Sequence, residues 1–528
     1  MPNFRFPPAR RAALGAAAAL CALGAVQGCT DLTEVPKDAL TADNAFRTEG
    51  EILAGTAGVY AQMRQAQWAN YNMSEVSSDA QVVPTRGTDW FDNGRWVEIH
   101  RQTWTSSSTS ALDDLNRQWN DMFAGVAKAN QLIEVVERSS STTKDRSLAE
   151  LRVLRAWFYY LLQDFFGGVP IVTQSLVEPS ARVSRDSVFR FITAELYASR
   201  AALPDQGATE YGRVTKQVVD AILANMYLNA PIFRGTITAG GITRAPAQLD
   251  SAIAAADRVI NSGKFTLEPD IRANFTPTNE GSRENIFVIV NTAVAGLGMS
   301  IPQRALHYNH IGIGAWNGFS VVTDAYRAFD PADQRRDQFL AAKDQQQRSF
   351  TTGLPITTRG GTPLVLRDTI GSITAANEDE GVRLNKFPPA VNPPDGDSHP
   401  NDYPFFRLAE MYLIKAEALN EQGRTGEALT LLNTTIRARA FDPDRPLSTG
   451  LSQAQARQAI LDERLFELVG EAKRRQDLIR MGGLAGVAQS YTAARRYKPN
   501  VSEPFRVLFP IPTTQLQANP LLQQNPGY

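Results

Sequence analysis

Residues 79–104 read DAQVVPTRGTDWFDNGRWVEIHRQTW, and most of the unusual chemistry of the chain gathers there. Asp79, Arg86, Trp90, Asp92, Asn93, Arg95 and Trp96 place flat aromatic faces beside planar hydrogen-bonding side chains in one glycine-containing stretch without helical periodicity. A second set, His307, Tyr308, Asn309 and His310 followed by Trp316 and Asn317, runs into the glycine-rich residues 312–318. Aromatic rings cover apolar faces, and Asn, Asp and Arg exchange hydrogen bonds in their own planes. Such residues suit non-covalent capture of a ligand with flat apolar faces and polar edges. Trp119 and Trp157 recur at helical spacing and are expected in the core, whereas Trp90, Trp96 and Trp316 sit in polar loops and are the binding candidates.

Other chemistries fit the sequence less well. Asp462, Glu463 and Glu467 resemble the paired carboxylates of glycoside hydrolysis. They share a helical stretch with Arg464 and a basic segment at 473–480, so structural ion pairing is the expected role. His307-x-x-His310 has metal-ligand spacing but glycine-rich flanks and no third ligand, and no metal is expected. Asp395-Gly-Asp-Ser-His399 is oxygen-rich yet lacks the spacing and closing Glu of a calcium loop, and reads as an exposed turn. Neither Gly167-Gly168 nor Gly240-Gly241 precedes the Lys-Ser/Thr pair of a phosphate loop. No cofactor and no enzymatic activity are expected.

The elements that must position these residues are mostly helices. The strongest pattern is LRVLRAWFYYLLQDFF over 151–166, stopped by Gly-Gly-Val-Pro at 167–170. Its apolar stripe is so wide that several other helices must surround it. Further helices are predicted at about 46–67, 119–137, 185–203, 214–230, 247–261, 322–330, 404–421, 424–438 and 452–480. Alanines on 214–260 (Ala221, Ala224, Ala252, Ala255) and on 404–438 (Ala416, Ala418, Ala428) allow close antiparallel approach, as in tetratricopeptide-like pairs. Between about 265 and 403, short β-like runs such as 286–290 stand among Gly, Pro, Thr and Asn clusters. The expected fold is therefore mainly α: a tetratricopeptide-like helix-pair scaffold (about 46–264 and 404–482) carrying a large, irregular, loop-rich insertion with short strands. Residues 504–528 are expected to be mostly extended, and 46–528 to form a single domain.

With 54 basic and 55 acidic residues in 528, the chain is nearly neutral, and no basic patch argues for nucleic acid. The N-terminus supplies a positive segment (Arg5, Arg10, Arg11) and the apolar run AALGAAAALCALGAV, closed by Val26-Gln27-Gly28-Cys29. This is the pattern of a secretory signal rather than of a span. The small residue directly before Cys29 matches a bacterial lipobox, with Gln27 as its one departure. Residues 1–28 are thus expected to be a lipoprotein signal peptide, Cys29 the acylated first residue, and 29–45 a tether.

At this point a family resemblance becomes visible over nearly the whole length. It rests on Ser77-Ser78-Asp79, on Trp119 with Ala129-Asn130, and on Arg155-Ala156 through Phe166-Gly167-Gly168-Val169-Pro170. It continues in Gly212-Arg213-Val214-Thr215-Lys216, Val322-Thr323-Asp324-Ala325-Tyr326, Arg407-Leu408-Ala409-Glu410, Asp462-Glu463-Arg464 and Phe509-Pro510-Ile511-Pro512, ending at Asn525-Pro526-Gly527-Tyr528. In this order the motifs resemble SusD/RagB-type outer-membrane lipoproteins. The resemblance implies a cell-surface binding protein, lipid-anchored in the outer membrane, that acts as a lid on a SusC-like TonB-dependent transporter and delivers an oligomeric nutrient to it.

Most of that family takes glycans, which implies an oligosaccharide ligand whose pyranose faces stack on aromatics. The candidate contacts are Trp316, Asn317, Tyr308, Trp90, Trp96, Asp79, Arg95 and Asn93. The same lid acting on peptides, and a surface glycosidase, are the alternatives.

Overall fold

The computed structural model describes residues 48–108, 110–176, 178–341 and 345–528. The expected signal segment, Cys29 and the tether lie outside the described residues. Ten main helices are labelled here: α1 Glu49–Val76, α2 Leu112–Arg138, α3 Lys144–Phe166, α4 Arg185–Arg200, α5 Lys216–Leu228, α6 Leu249–Ile260, α7 Leu408–Glu421, α8 Thr425–Thr434, α9 Gln453–Leu468 and α10 Arg474–Met481. Helix α1 starts at a capping box, in which the Thr48 hydroxyl accepts from Glu51 N–H and the Glu51 carboxylate accepts from Thr48 N–H.

Helix α3 is the centre. Every residue from Leu148 to Phe166 except Arg152 is buried, which is what its sequence pattern demands. α2 and α4 pack on it, and α1 lies against α2. Most of the polar groups that go down with it are engaged, the Trp157 Nε1–H and Gln163 Oε1 being exceptions among the described residues. Gln163 donates to the carbonyls of Arg185 and Phe233 at 2.9 Å each, and Asp164 takes Arg475 at 2.9 Å. Arg155 reaches Asn130 Oδ1 at 2.7 Å and Glu195. Unpaired, each of these would cost about 1–3 kcal/mol.

The helix pairs continue as α5 on α6, α6 on α7, and α7 on α8 and α9. Ala221, Ala224, Ala252, Ala255, Ala416, Ala418 and Ala428 are all fully buried in these seams. The fold is mainly helical, with paired helices and strands confined to short two-stranded ribbons.

Several boundaries differ from the sequence reading, among them the start of helix α2 at Leu112 rather than 119 and the end of α8 at Thr434 rather than 438. Helix α1 runs nine residues past 67, to Val76, because its last turns bury polar side chains (Asn70, Asn72, Ser74, Glu75) that hide the apolar period. Residues 452–480 form two helices, broken at 469–473. There Lys386 Nζ donates to the carbonyls of Glu467 and Val469, and Ala472 N–H donates to Glu75, so the backbone bonds across the structure instead of along a ladder. The C-terminal segment includes a short helix, Thr513–Ala518, and is tied to α3 by Phe509 N–H on the Phe165 carbonyl at 2.8 Å.

The insertion is closed at its neck. Strand Asn285–Ile289 pairs antiparallel with Tyr403–Arg407, drawing its two ends together. Beside this ribbon lies a buried ionic network. Arg407 pairs with Glu284, Glu467 and Glu471 at 2.6–2.8 Å. Arg335 pairs with Asp333, Glu463 and Glu467 at 2.7–3.0 Å. Arg439 joins Glu284 to Glu467. The network fastens the insertion to α9, and it is where Glu463 and Glu467 are used.

Candidate functional site

A two-residue ribbon brings the two aromatic loops together. Gln81–Val82 pairs antiparallel with Ser320–Val321, just before the first loop and just after the second. Arg86 and Asp89 close a tight turn with reciprocal backbone bonds of 2.9 and 3.0 Å. The chain then holds Trp90, Asp92 and Asn93 at φ of 60°, 38° and 54° before entering the short helix Arg95–Arg101. In the second loop, the N–H groups of Trp316, Asn317 and Gly318 donate to the carbonyls of Gln303, Leu306 and Arg304 at 2.7–2.8 Å, and Asn317 sits at φ 52°. Side chains held at positive φ cost about 1–3 kcal/mol each and persist where their surroundings fix them.

What fixes them is a stack of rings. Trp90 Nε1–H donates to the Trp316 carbonyl at 2.6 Å, and the two rings lie 6.4 Å apart at 49°. Behind Trp90, the rings of Trp96 and Phe319 stand edge-on at 5.6 and 5.8 Å. Gly318 lets the Trp90 indole rest directly on the backbone, since a Cβ there would overlap the ring. The stack has a wet end: Trp316 is 36% exposed, Trp90 is half-buried and Trp96 is 2% exposed. Phe91 adds a further ring, 56% exposed, on the same loop. The sequence reading left Phe91 off the site although it is an aromatic flanked by aspartate in that loop.

A polar wall stands beside the rings. Tyr308 O–H donates to Asp89 Oδ2 at 2.5 Å, and Arg359 lies over the Tyr308 ring at 3.9 Å while pairing with Asp89 at 2.9 Å and Glu378 at 2.8 Å. One face of Tyr308 is thus covered by Arg359. Burial and the Asp89 hydrogen bond both push the Tyr308 phenol up, so it stays protonated. His307 Nε2 meets Glu378 at 3.1 Å, yet burial holds its imidazole down, to about 4, and it is neutral at pH 7. Beneath the wall, Arg383 grips Asn317 Oδ1 with Nε and Nη2 at 3.0 and 2.7 Å, and Arg86 donates to the Asn317 carbonyl at 2.8 Å.

Of the eight sequence candidates, Trp90, Trp316, Tyr308, Asn93 and Arg95 come together around this surface. The other three take internal positions. Asp79 is bound bidentately by Arg474 at 2.8 and 3.0 Å, Trp96 lies under the ring stack with its N–H on Asp92 at 2.7 Å, and Asn317 is fully buried on Arg383. Their side chains are bonded within the protein and position the loops. The cause is common to all three: a planar polar or aromatic side chain reads the same in sequence whether it meets a ligand or a neighbouring loop.

The remaining candidate chemistries resolve as internal bonds. His310 Nδ1 accepts from His307 N–H at 2.9 Å, and among the described residues no group of three His, Cys, Asp or Glu is arranged to hold a metal ion. Asp395 caps its own turn through Ser398 N–H at 2.8 Å and takes Gly296 N–H at 2.8 Å. An apolar cavity of about 470 Å³ lies elsewhere, lined by Trp119, Phe123, Pro170, Val172 and Leu522, and shares no residue with the aromatic loops.

Comparison with known proteins finds relatives of the sequence and of the fold. Residues 262–528 match the family described as the SusD family, and residues 37–228 match one described as starch-binding, associating with the outer membrane. A SusD-like protein of Formosa agariphila is 24% identical over 94% of this chain and 96% of its own length. The starch-binding protein SusD of Bacteroides thetaiotaomicron is 24% identical over 83% of this chain and 82% of its own. Both relatives are named as binding or SusD-like proteins, not as enzymes. Among solved structures, surface glycan-binding protein A of Bacteroides thetaiotaomicron in complex with laminarihexaose superposes with a TM-score of 0.69 at 22% identity, covering 90% of this chain and 99% of that one. A laminarin-binding SusD-like protein gives 0.70 at 23%, covering 92% and 100%. With the family matched over half of its 528 residues, the chain belongs to the SusD family.

Proposed function

We propose that this protein captures an oligosaccharide on the outer surface of the cell and passes it to a TonB-dependent transporter, held at the outer membrane by acylated Cys29. The observation that carries the reading is the wet end of the ring stack. Phe91, Trp90 and Trp316 turn aromatic surface outward on two loops whose strained backbone is fixed from below by Arg86, Arg383 and Asn317. Pyranose rings present apolar C–H faces to such rings, and Asn93, Asp92 and Arg95 stand within the same loop to meet hydroxyls. Relatives named for starch and laminarin support the ligand class, and the family description supports the membrane. Stacking at a pre-formed site needs little reordering of the protein, so little of the stacking energy is lost to ordering on binding.

Calorimetric titration of the purified full-length protein in detergent against a panel of oligosaccharides tests the reading. Removing one ring forfeits about 1.4 kcal/mol of stacking, so Trp316→Ala is expected to weaken binding about 10-fold in a protein that remains folded. Binding of no glycan, or binding indifferent to Trp316, would count against it. Delivery is tested separately by co-purification of the protein with an outer-membrane barrel from its native host.

A further inference from the structure

Taking the aromatic loops as the glycan site, we infer that the site is built for neutral sugars and discriminates against uronic acids and sulfated sugars. An anionic sugar needs a cation whose charge is not already balanced, normally a guanidinium in bidentate geometry. Arg95 and Arg359, the two arginines at the ring surface, are each paired with two carboxylates. Arg95 pairs with Asp92 at 3.1 Å and Asp114 at 3.3 Å while lying over Trp96. Arg359 is held between Asp89 and Glu378 at 2.9 and 2.8 Å, flat on Tyr308. The deeper Arg86 and Arg383 are 2% and 0% exposed and are committed to Asn317, Ser320 and backbone carbonyls.

Arg304 is buried below Phe319 and bonded to Asn72 at 2.9 Å, whereas Arg348 is exposed on its own hairpin, where one N–H donates to the Gly353 carbonyl. His307 is neutral because it is buried. The three loop segments 84–98, 304–318 and 345–402 together carry eight Lys and Arg against ten Asp and Glu. The surface groups left over include the Asn93 amide and the Oδ1 atoms of Asp89 and Asp92, which accept from hydroxyls and repel a carboxylate or sulfate.

The test compares neutral laminari- and manno-oligosaccharides with alginate and carrageenan oligosaccharides by calorimetry on the full-length protein. Neutral ligands are expected to bind with affinity changing less than about 2-fold between about 20 and about 500 mM NaCl, because no ion pair with the ligand is screened. The anionic oligosaccharides are expected to bind at least about 10-fold more weakly, a difference of about 1.4 kcal/mol. Anionic sugars binding as well as or better than neutral ones would overturn the inference while leaving the glycan reading intact. Failure of every glycan would remove both.

Two variants probe the cause. Asp89→Asn with Glu378→Gln frees Arg359, and Asp92→Asn, at an exposed position, frees the outer edge of Arg95 without touching the buried wall. Either change is expected to raise affinity for alginate oligosaccharides by about 10-fold over wild type. A folded Asp92→Asn protein with no gain would overturn the account in which internal pairing keeps anions out.

Discussion

At the scale of single residues, the site depends on contacts that leave no room for small changes. Gly318 is the clearest case. Its lack of a side chain lets the Trp90 ring lie against the backbone, and Trp90 in turn bonds to the Trp316 carbonyl. Gly318→Ala is therefore expected to displace the Trp90 ring, costing about 1–3 kcal/mol of stability by overpacking. It should also weaken glycan binding, read by calorimetry and by the tryptophan fluorescence of the stack. Unchanged fluorescence and affinity would mean the ring can rest elsewhere.

The histidines give a second residue-scale expectation. All four, His100, His307, His310 and His399, are fully buried, and burial holds their imidazoles down, to about 3–4. Their NMR signals are expected to show no titration between about pH 7.5 and 5.5, where an exposed imidazole passes its midpoint near 6.5. A midpoint near 6.5 for His307 would show that the Glu378 wall opens in solution. The sequence singled out two loops that the structure brings together, by their tryptophans in polar, glycine-containing stretches. It could not separate Trp316 from Trp96, or Asn93 from Asn317. That choice depends on which loop packs beneath which, and the answer lies in a ribbon between residues about 240 positions apart.

At the scale of elements, helices were legible in proportion to how regularly they alternate apolar and polar faces. α3 is buried nearly all round, and its stop at 167–170 could be read directly. α1 was cut short because its last two turns bury polar side chains that bond inward, as when Gln81 links Tyr71 to Glu75 at 3.0 Å. The contact between α2 and α3 rests on another missing side chain: at Gly125 a Cβ would overlap the ring of Phe158. Gly125→Val is expected to force the two helices apart and lower stability by about 1–3 kcal/mol, visible as an earlier urea midpoint. Since Gly125 is remote in sequence from both aromatic loops and lies on a different element, glycan affinity of the folded fraction should stay unchanged. A matching loss of affinity would instead tie the helical array to the site.

At the scale of the whole molecule, the insertion is held to the scaffold by charge as well as by apolar contact, and this sets how the protein meets acid. Burial alone would push the Glu467 carboxyl up, but Arg439, Arg407 and Arg335 outweigh it and hold the group well below the ordinary carboxylate range. Glu284, flanked by Arg439 and Arg407, is shifted the same way. A carboxylate depressed in the folded state stays charged there while the unfolded chain takes up a proton. Its contribution is therefore complete above the unfolded value of about 4.3 and drains away as pH falls below that. Urea midpoints are expected to fall steeply below about pH 4.3, and part of that slope belongs to Glu467. Glu467→Gln leaves three buried guanidinium groups short of a counter-charge and is expected to cost about 3–5 kcal/mol at pH 7. The same variant should flatten the acid slope, since the group that would have titrated is gone. A variant that loses stability at pH 7 but keeps the full acid slope would place the acid sensitivity elsewhere in the fold, and would make the network a fastening of the insertion alone.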